Sequence, residues 1–446
     1  MGTTALPDFK PEDDVSLEAH QQDGDDGTHA KGGTSADAAD MNRMGKAQEL
    51  RRNFKFVGIV GFVSILQASW ENILLANWFG LYNGGTAGET DPRAECRDGF
   101  HVTNERRSIP LGQRFFAQHL PLAEGIVLFA HIFAFFVFLL VFWIMGDHAP
   151  AGQVFTQFHD GGGWGTGLSC FVGLATPVWC FIGPDAGAHM SEELKDASIQ
   201  LPRAMIWATV LNGVLGMLML ISFCFCITDI EALVNSDSDF AIIEVLFNAT
   251  GSHAATVVLG TILVVLLFFS TVTTVASASR QIWAFSRDQG FPYSMWIRRV
   301  APKYEIPVNA LLVCLGVSVV ISVINFGSVT AFNAVVGVSN AALGFSYIIS
   351  VGCIRLKRLR GEPLLPRRWS LGKWGGLIND ITLAFLAVIF VFSFWPTNPS
   401  VGDEAWAANF NYAIIIFSAA CLLALAYYVL GGRRKYIAPV SLVKND

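Results

Sequence analysis

Charged residues are scarce in this chain of 446 residues. Asp, Glu, Lys and Arg together make up 15% of it, whereas hydrophobic residues make up 52% and the mean hydropathy is +0.46. A water-soluble protein of this length needs a larger charged fraction to cover its surface. The composition therefore excludes an ordinary soluble protein and predicts one that spans a membrane.

Sequence patterns for catalysis and for metal binding are also missing. Seven of the eight cysteines lie in or beside apolar runs, so neither a disulfide framework nor a zinc spacing is present. The chain has no nucleotide-binding loop, no Gly-x-Ser-x-Gly elbow and no nucleic-acid-binding surface. We therefore predict a protein that is not an enzyme and that needs no metal, no cofactor and no nucleic-acid partner.

The first 42 residues have almost no aromatic content and carry ten Asp and Glu against two Lys. Such a segment cannot bury enough apolar surface to offset its loss of conformational entropy. We predict a disordered cytoplasmic tail over 1–53, a transmembrane domain over 54–431 and a second cytoplasmic tail over 432–446.

Long apolar runs fill the middle of the chain. A helix needs about 20 apolar residues to cross the hydrocarbon core of a bilayer. Nine stretches qualify, namely 57–80, 121–146, 166–190, 204–227, 254–279, 308–327, 329–354, 376–395 and 411–430.

Positive charge is missing from alternate loops, which predicts the orientation of the spans. The loops 147–165, 228–253 and 396–410 contain no Lys or Arg, whereas the loops 280–306 and 355–373 are rich in both. Because Lys and Arg stay in the cytoplasm, we place the basic loops and both chain ends inside. The sequon Asn248-Ala249-Thr250 then faces outward, where Asn248 is a glycosylation candidate.

Two cytoplasmic ends require an even number of crossings, yet nine spans are visible. The conflict lies between the first two spans, where 86–114 carries five Arg and cannot cross as a lipid-facing helix. Either an odd number of spans is missing at this point, or the first span is not properly inserted.

The third visible span is interrupted at Gly183-Pro184-Asp185 and is followed by a charged loop. Non-helical backbone at membrane depth is tolerated only where protein or a water-filled cavity satisfies it. A broken span with polar residues at the break therefore indicates a solute site.

Three long motifs resemble the fungal amino acid and choline permeases, of the GABA type, in the amino acid, polyamine and organocation superfamily. They are His-Met-Ser-Glu-Glu-x-x-Asp-Ala-Ser-x-x-x-Pro-Arg-Ala-Met at 189–205, Ala-Ser-Arg-Gln-Ile-Trp-Ala-Phe-Ser-Arg-Asp-Gln-Gly-Phe-Pro at 278–292 and Leu-Lys-Arg-Leu-Arg-Gly-Glu-Pro-Leu-Leu-Pro at 356–366. The resemblance implies an all-α polytopic membrane protein with the inverted-repeat, leucine-transporter-like fold and twelve spans. Against that pattern the visible spans correspond to one and five through twelve, and the polar segment 86–114 replaces spans two to four.

The resemblance also implies a solute site at the interrupted helices of spans one and six. Its candidate substrate-binding residues are Gln67, Ser69, Trp70, Glu71, Phe181, Ile182, Gly183, Asp185, Ala186 and Gly187. Its candidate coupling or gate residues are Glu71, Asp185, His189, Glu192 and Glu193. A carboxylate at the depth of Glu71 is costly unless it faces a cavity or a partner, which favours a solute or proton role. Trp70 either contacts a cationic group of the solute with the face of its ring or serves as a packing residue. His131 fits a packed histidine better than a proton relay.

We predict a secondary active transporter, driven by protons, for amino acids or related amines such as GABA. Its partners are the small solute, the lipid bilayer and H⁺, and the plasma membrane is the expected location, with the vacuole or endoplasmic reticulum as alternatives. The alternatives left open are a choline or polyamine permease and a truncated remnant or sensor that does not transport.

Overall fold

The computed structural model describes residues 32–82, 120–156, 160, 163–229, 241–301, 305–325, 329–396, 399, 410–439 and 443. Regular structure in these ranges is helical. The helices are α1 Ser35–Arg43, α2 Phe56–Gln67, α3 Ser69–Tyr82, α4 Leu120–Met145, α5 Ala151–Thr156, α6 Thr166–Gly173, α7 Ala175–Phe181, α8 Ala186–His189, α9 Ala197–Phe225, α10 Ala241–Thr250, α11 His253–Arg287, α12 Ser294–Ile297, α13 Val308–Asn325, α14 Val329–Leu359, α15 Gly375–Phe392, α16 Ala413–Tyr427 and, after a π-helical turn at Tyr428–Gly432, α17 Arg433–Lys435. The polar segment 86–114 and the first 31 residues lie outside the described ranges.

Eight helical stretches in the described part of the chain are long and apolar enough to cross a bilayer. They agree with eight of the nine predicted spans, and the ninth, 308–327, forms the shorter helix α13. Two helices run past their predicted ends, because α11 continues to Arg287 and α14 to Leu359. Basic side chains in a last helical turn interact favourably with the helix dipole, which explains why these helices extend into the predicted loops. The chain is therefore an all-helical, polytopic membrane protein.

The core lies where α2 packs against α4 and α9 and where α3 packs against α9. Gly61 permits a close approach, because a Cβ atom at this position would lie 2.9 Å from the carbonyl oxygen of Glu124. Small residues at such crossings let membrane helices pack backbone to backbone. Next to this crossing, the buried rings of Trp70, Phe135 and Phe138 form the centre of the largest apolar cluster.

Residues 32–54 are ordered and packed against the bundle, although composition predicted disorder for 1–53. Helix α1 begins with a capping box between Thr34 and Asp37. Farther along, Phe54 is buried and joins the segment 193–195 through two backbone hydrogen bonds, donated by its own N–H to Glu193 and received from Lys195. Local composition could not predict this order, because the stabilising contacts come from distant parts of the chain.

Candidate functional site

The first span is interrupted at Ala68. This residue adopts left-handed backbone angles, φ 40° and ψ 46°, between α2 and α3. The break leaves the carbonyl of Gln67 outside the helical ladder, and the Asn72 side chain donates a hydrogen bond to it at 3.0 Å. The interruption that family resemblance implied for span one is therefore present, and it lies one residue before Ser69.

The second interruption separates α7 from α8. Ile182 is extended, with ψ 150°, and Gly183 has φ +99°, a region that favours glycine. The break coincides with the predicted Gly183-Pro184-Asp185 sequence. Beyond it, Ala186 and Gly187 begin the single short turn α8.

The two interruptions face each other. The Gln67 side chain donates a hydrogen bond from Nε2 to the free carbonyl of Phe181 at 3.1 Å. A Cβ atom at Gly183 would lie 2.7 Å from Leu66 Cδ2, and one at Gly187 would lie 3.0 Å from Val63 Cγ2. The structure thus brings Gln67 together with Phe181 and Gly183, which are more than a hundred residues away in the chain.

Helix α11 supplies hydroxyl groups to both interruptions. Ser270 donates to the carbonyl of Leu66 at 3.1 Å, and Ser277, two turns later, donates to the carbonyl of Ala186 at 3.4 Å. Sequence reasoning did not single out Ser270. The spacing of seven residues on one helix face is the signal that could have revealed it.

Several buried polar atoms near Ala68 have no hydrogen-bond partner among the described residues. They are Gln67 Oε1, Ser69 Oγ, Trp70 Nε1, Glu71 Oε2 and His131 Nε2. Buried polar groups are normally satisfied, so a cluster of this kind indicates space for a polar ligand or water. Trp70 itself is fully buried, with its ring packed against His131, Phe135 and Phe138.

Glu71 and His131 form a buried pair between α3 and α4. His131 Nδ1 lies 2.6 Å from Glu71 Oε1, and each side chain is 1% exposed. Sequence analysis favoured a packed histidine at this position, and the partner could not be foreseen from local sequence. Glu124, two turns earlier on α4, accepts a separate hydrogen bond from Thr273 at 2.9 Å.

Asp185 has one partner on α14 and one on α8. The Tyr347 hydroxyl of α14 donates to Asp185 Oδ1 at 2.6 Å, and His189 Nε2 lies 3.4 Å from Oδ2. Tyr347 did not stand out in the sequence, because a single tyrosine in an apolar span has many structural uses.

Ion pairs tie the segment after α8 to the end of α11, on the side of the bundle where Arg and Lys cluster. We call this side the basic end. Glu193 pairs with Arg280 at 2.8 Å, and Glu192 pairs with Arg287. Arg52 donates to the carbonyls of Ser191 and Leu194 on the same segment. Two of the candidate gate residues, Glu192 and Glu193, are therefore held in ion pairs with α11 at the basic end.

Asn248 lies near the end of α10 and is exposed. The Thr250 hydroxyl of its sequon donates to the carbonyl of Leu246 at 2.8 Å.

Interrupted membrane helices that meet at facing positions are common in secondary transporters. The family model for amino acid permeases matches residues 115–420. The chain belongs to this amino acid permease family.

Individual relatives agree with the family. A protein of Macrophomina phaseolina named as an amino acid/polyamine transporter is 32% identical over 289 residues, which cover 64% of this chain and 63% of the relative. Amino-acid permease 2 of Neurospora crassa is 31% identical over 298 residues, which cover 64% of this chain and 52% of the relative. The GABA-specific permease of Saccharomyces cerevisiae is 26% identical over 332 residues, which cover 72% and 57%. The chain thus spans between about half and two thirds of the length of these curated relatives. The relatives are named as transporters or permeases and not as enzymes.

Proposed function

We propose that this protein is a secondary active transporter for small amino acids or related amines such as GABA, driven by protons. The observation that carries the proposal is the meeting of two interrupted helices, with Gln67 bonded to the free carbonyl of Phe181. Relatives named for amino acids, polyamines and GABA support a solute that carries an amine.

We call the place where the two interrupted helices meet the crossing. Its backbone offers both positively and negatively polarised groups to such a solute. The start of α3 presents unsatisfied N–H groups and the positive end of a helix dipole, which suit a carboxylate. On the other helix, the Phe181 carbonyl suits an ammonium group, which would replace the Gln67 amide as donor. Gly183 lets the solute reach this backbone, and the Tyr347 bond keeps Asp185 beside it.

The pairs Glu193–Arg280 and Glu192–Arg287 act in this proposal as the gate at the basic end, together with Asp185 and His189 at the inner side of the break. Their separation would open the crossing toward that end. Loop charge supports a cytoplasmic position for the basic end and for both chain ends. The plasma membrane is the proposed location, and Asn248 is the proposed glycosylation site on the outer side.

Reconstitution of the full chain into liposomes tests the proposal. Uptake of labelled GABA, a neutral amino acid, choline and spermidine is measured with an inward proton gradient, in chain-containing and empty vesicles. We expect saturable uptake of GABA or the amino acid, lost in Asp185→Asn and kept in Asp380→Asn, which alters a carboxylate paired with Arg355 on another span.

Other results of this assay distinguish the alternatives. Uptake of choline or spermidine alone would assign those substrates. Solute binding without uptake would overturn the transport proposal in favour of a remnant or sensor. Absence of both binding and uptake would refute a solute site at this crossing.

A further inference from the structure

We infer that Glu71 and His131 form the proton-binding site of this protein, with His131 Nε2 as the atom that takes up the proton. The inference rests on the proposed function, because it assigns the place where the coupling ion binds. It also identifies a residue, His131, that the solute site does not use.

The geometry fixes which atoms are available. His131 Nδ1 lies 2.6 Å from Glu71 Oε1. With Glu71 ionised and His131 neutral, the imidazole donates its Nδ1–H to the carboxylate. Nε2 then carries the lone pair of the ring. It is buried and has no partner among the described residues, and the same is true of Glu71 Oε2.

Charge explains why the pair would accept a proton. A carboxylate beside a neutral imidazole carries a net charge of −1 in an apolar surrounding of Trp70, Phe135 and Phe138. Addition of H⁺ to the Nε2 lone pair gives an imidazolium beside a carboxylate, with a net charge of zero. A buried charge is costly without compensation, so proton uptake removes an uncompensated charge from the membrane interior.

Few other groups can supply that compensation. Glu124, on α4 itself, is occupied by Thr273. The remaining titratable or charged residues on the described helices that pack against α3 and α4 are Cys170 on α6, Cys180 on α7, Arg203 and Cys224 on α9, Glu244 on α10, and His253, Arg280 and Arg287 on α11. Arg280 and Arg287 are already paired with Glu193 and Glu192 at the basic end.

The position of the pair links it to the solute site. Glu71 lies in the first turn of α3, whose positive dipole end stabilises a carboxylate. Ala68, three residues earlier, is the break between α2 and α3, and Gln67 reaches the Phe181 carbonyl. A change in the charge of the pair therefore acts on the helix start that forms one wall of the crossing.

Trp70 provides a direct measurement, because its ring centroid lies 5.7 Å from that of His131. A protonated imidazole quenches indole emission far more strongly than a neutral one. The full chain in nanodiscs is titrated with acid, and the emission of a Trp70→Phe variant is subtracted to isolate Trp70 from the other tryptophans. We expect a reversible pH-dependent step in the difference signal.

Substitutions assign the step to this pair. His131→Gln keeps a hydrogen-bond donor toward Glu71 and cannot be protonated, so the step is lost. Glu71→Gln removes the charge that compensates the imidazolium, so the step is lost there as well. His253→Gln is the matched control, since His253 is exposed and stacked on Phe247, and it keeps the step. Absence of the step in the unaltered chain, or its persistence in His131→Gln, would overturn the inference.

A transport measurement separates this inference from the proposed function. In liposomes, His131→Gln is expected to retain exchange of labelled for unlabelled solute and to lose acceleration by a proton gradient. Acceleration retained in His131→Gln would overturn the inference while transport stands. If the unaltered chain shows neither exchange nor uptake, the proposed function fails, and the fluorescence titration still decides whether the pair binds a proton.

Discussion

Asp37 caps a membrane helix that is distant in sequence, and its replacement by alanine should loosen the start of that helix. Its carboxylate accepts hydrogen bonds from the backbone N–H groups of Asp196 at 3.0 Å and Ala197 at 3.3 Å, at the beginning of α9. Asp196 does not cap the helix itself, because its side chain pairs with Arg368. Arg52 lies 3.3 Å from Asp37, and both side chains are 3% exposed.

Two contributions set the size of the effect. Loss of a capping side chain costs about 1 kcal/mol, and removal of one partner from a buried ion pair costs about 3–5 kcal/mol. Arg52 would keep its hydrogen bonds to Gln48, Ser191 and Leu194. We therefore expect Asp37→Ala to lose about 3 kcal/mol of stability, near the lower end of the range for a broken buried ion pair. This loss corresponds to roughly a hundredfold change in the equilibrium constant for opening of the helix start.

Hydrogen exchange of the amides of residues 196 and 197 measures this effect directly. Asp37→Ala should accelerate their exchange by about a hundredfold and lower the thermal unfolding temperature of the purified chain. Asp37→Asn keeps an acceptor oxygen and should give a smaller change. The double variant Asp37→Ala/Arg52→Met leaves no unpaired buried charge and should be less destabilised than Asp37→Ala alone.

The contribution of Asp37 also depends on pH. Burial by itself would raise the pKa of Asp37, but hydrogen bonds from Asp196 and Thr34 and the nearby charge of Arg52 outweigh burial and hold the pKa below its ordinary value. A lowered pKa contributes stability that is complete above the ordinary carboxyl range and disappears as the pH falls through the pKa of the folded state. Unchanged amide exchange in Asp37→Ala, or equal destabilisation of the single and double variants, would refute this account of the cap.

Three further predictions concern the crossing and the orientation. Gly183→Ala should reduce uptake and cost about 1–3 kcal/mol of stability, because φ +99° is strained for alanine and its Cβ would lie 2.7 Å from Leu66. Gly213→Ala is the control in the uptake and unfolding assays, because nothing lies within 4 Å of a Cβ atom at that position. Tyr347→Phe should cost about 1–3 kcal/mol and weaken solute binding, because Asp185 loses a half-buried hydrogen bond to its carboxylate. Unaltered affinity in a binding titration would contradict this role. A cysteine at Asn248 should react with an impermeant thiol reagent from outside the cell and one at Arg298 only from inside; the reverse pattern would invert the proposed topology.

The sequence by itself determined the membrane class, eight of the spans and the interruption before Asp185. These features depend on local properties, namely the length of apolar runs and the conformational behaviour of glycine and proline. Packing against other helices does not change these properties. Charge in the loops is likewise a local property, and it predicted an orientation.

Only the tertiary structure decided which polar groups meet. Glu71 and His131 are 60 residues apart, and nothing near either residue specifies the other as partner. The Ala68 interruption has neither glycine nor proline, and its exposed backbone is accommodated by Asn72 and Ser270. Composition predicted a disordered tail over 1–53, yet contacts of Asp37, Arg52 and Phe54 hold residues 32–53 against the segment before α9 and the start of that helix. In each case the free energy comes from satisfying buried polar groups across helices, and that pairing exists only once the helices have packed.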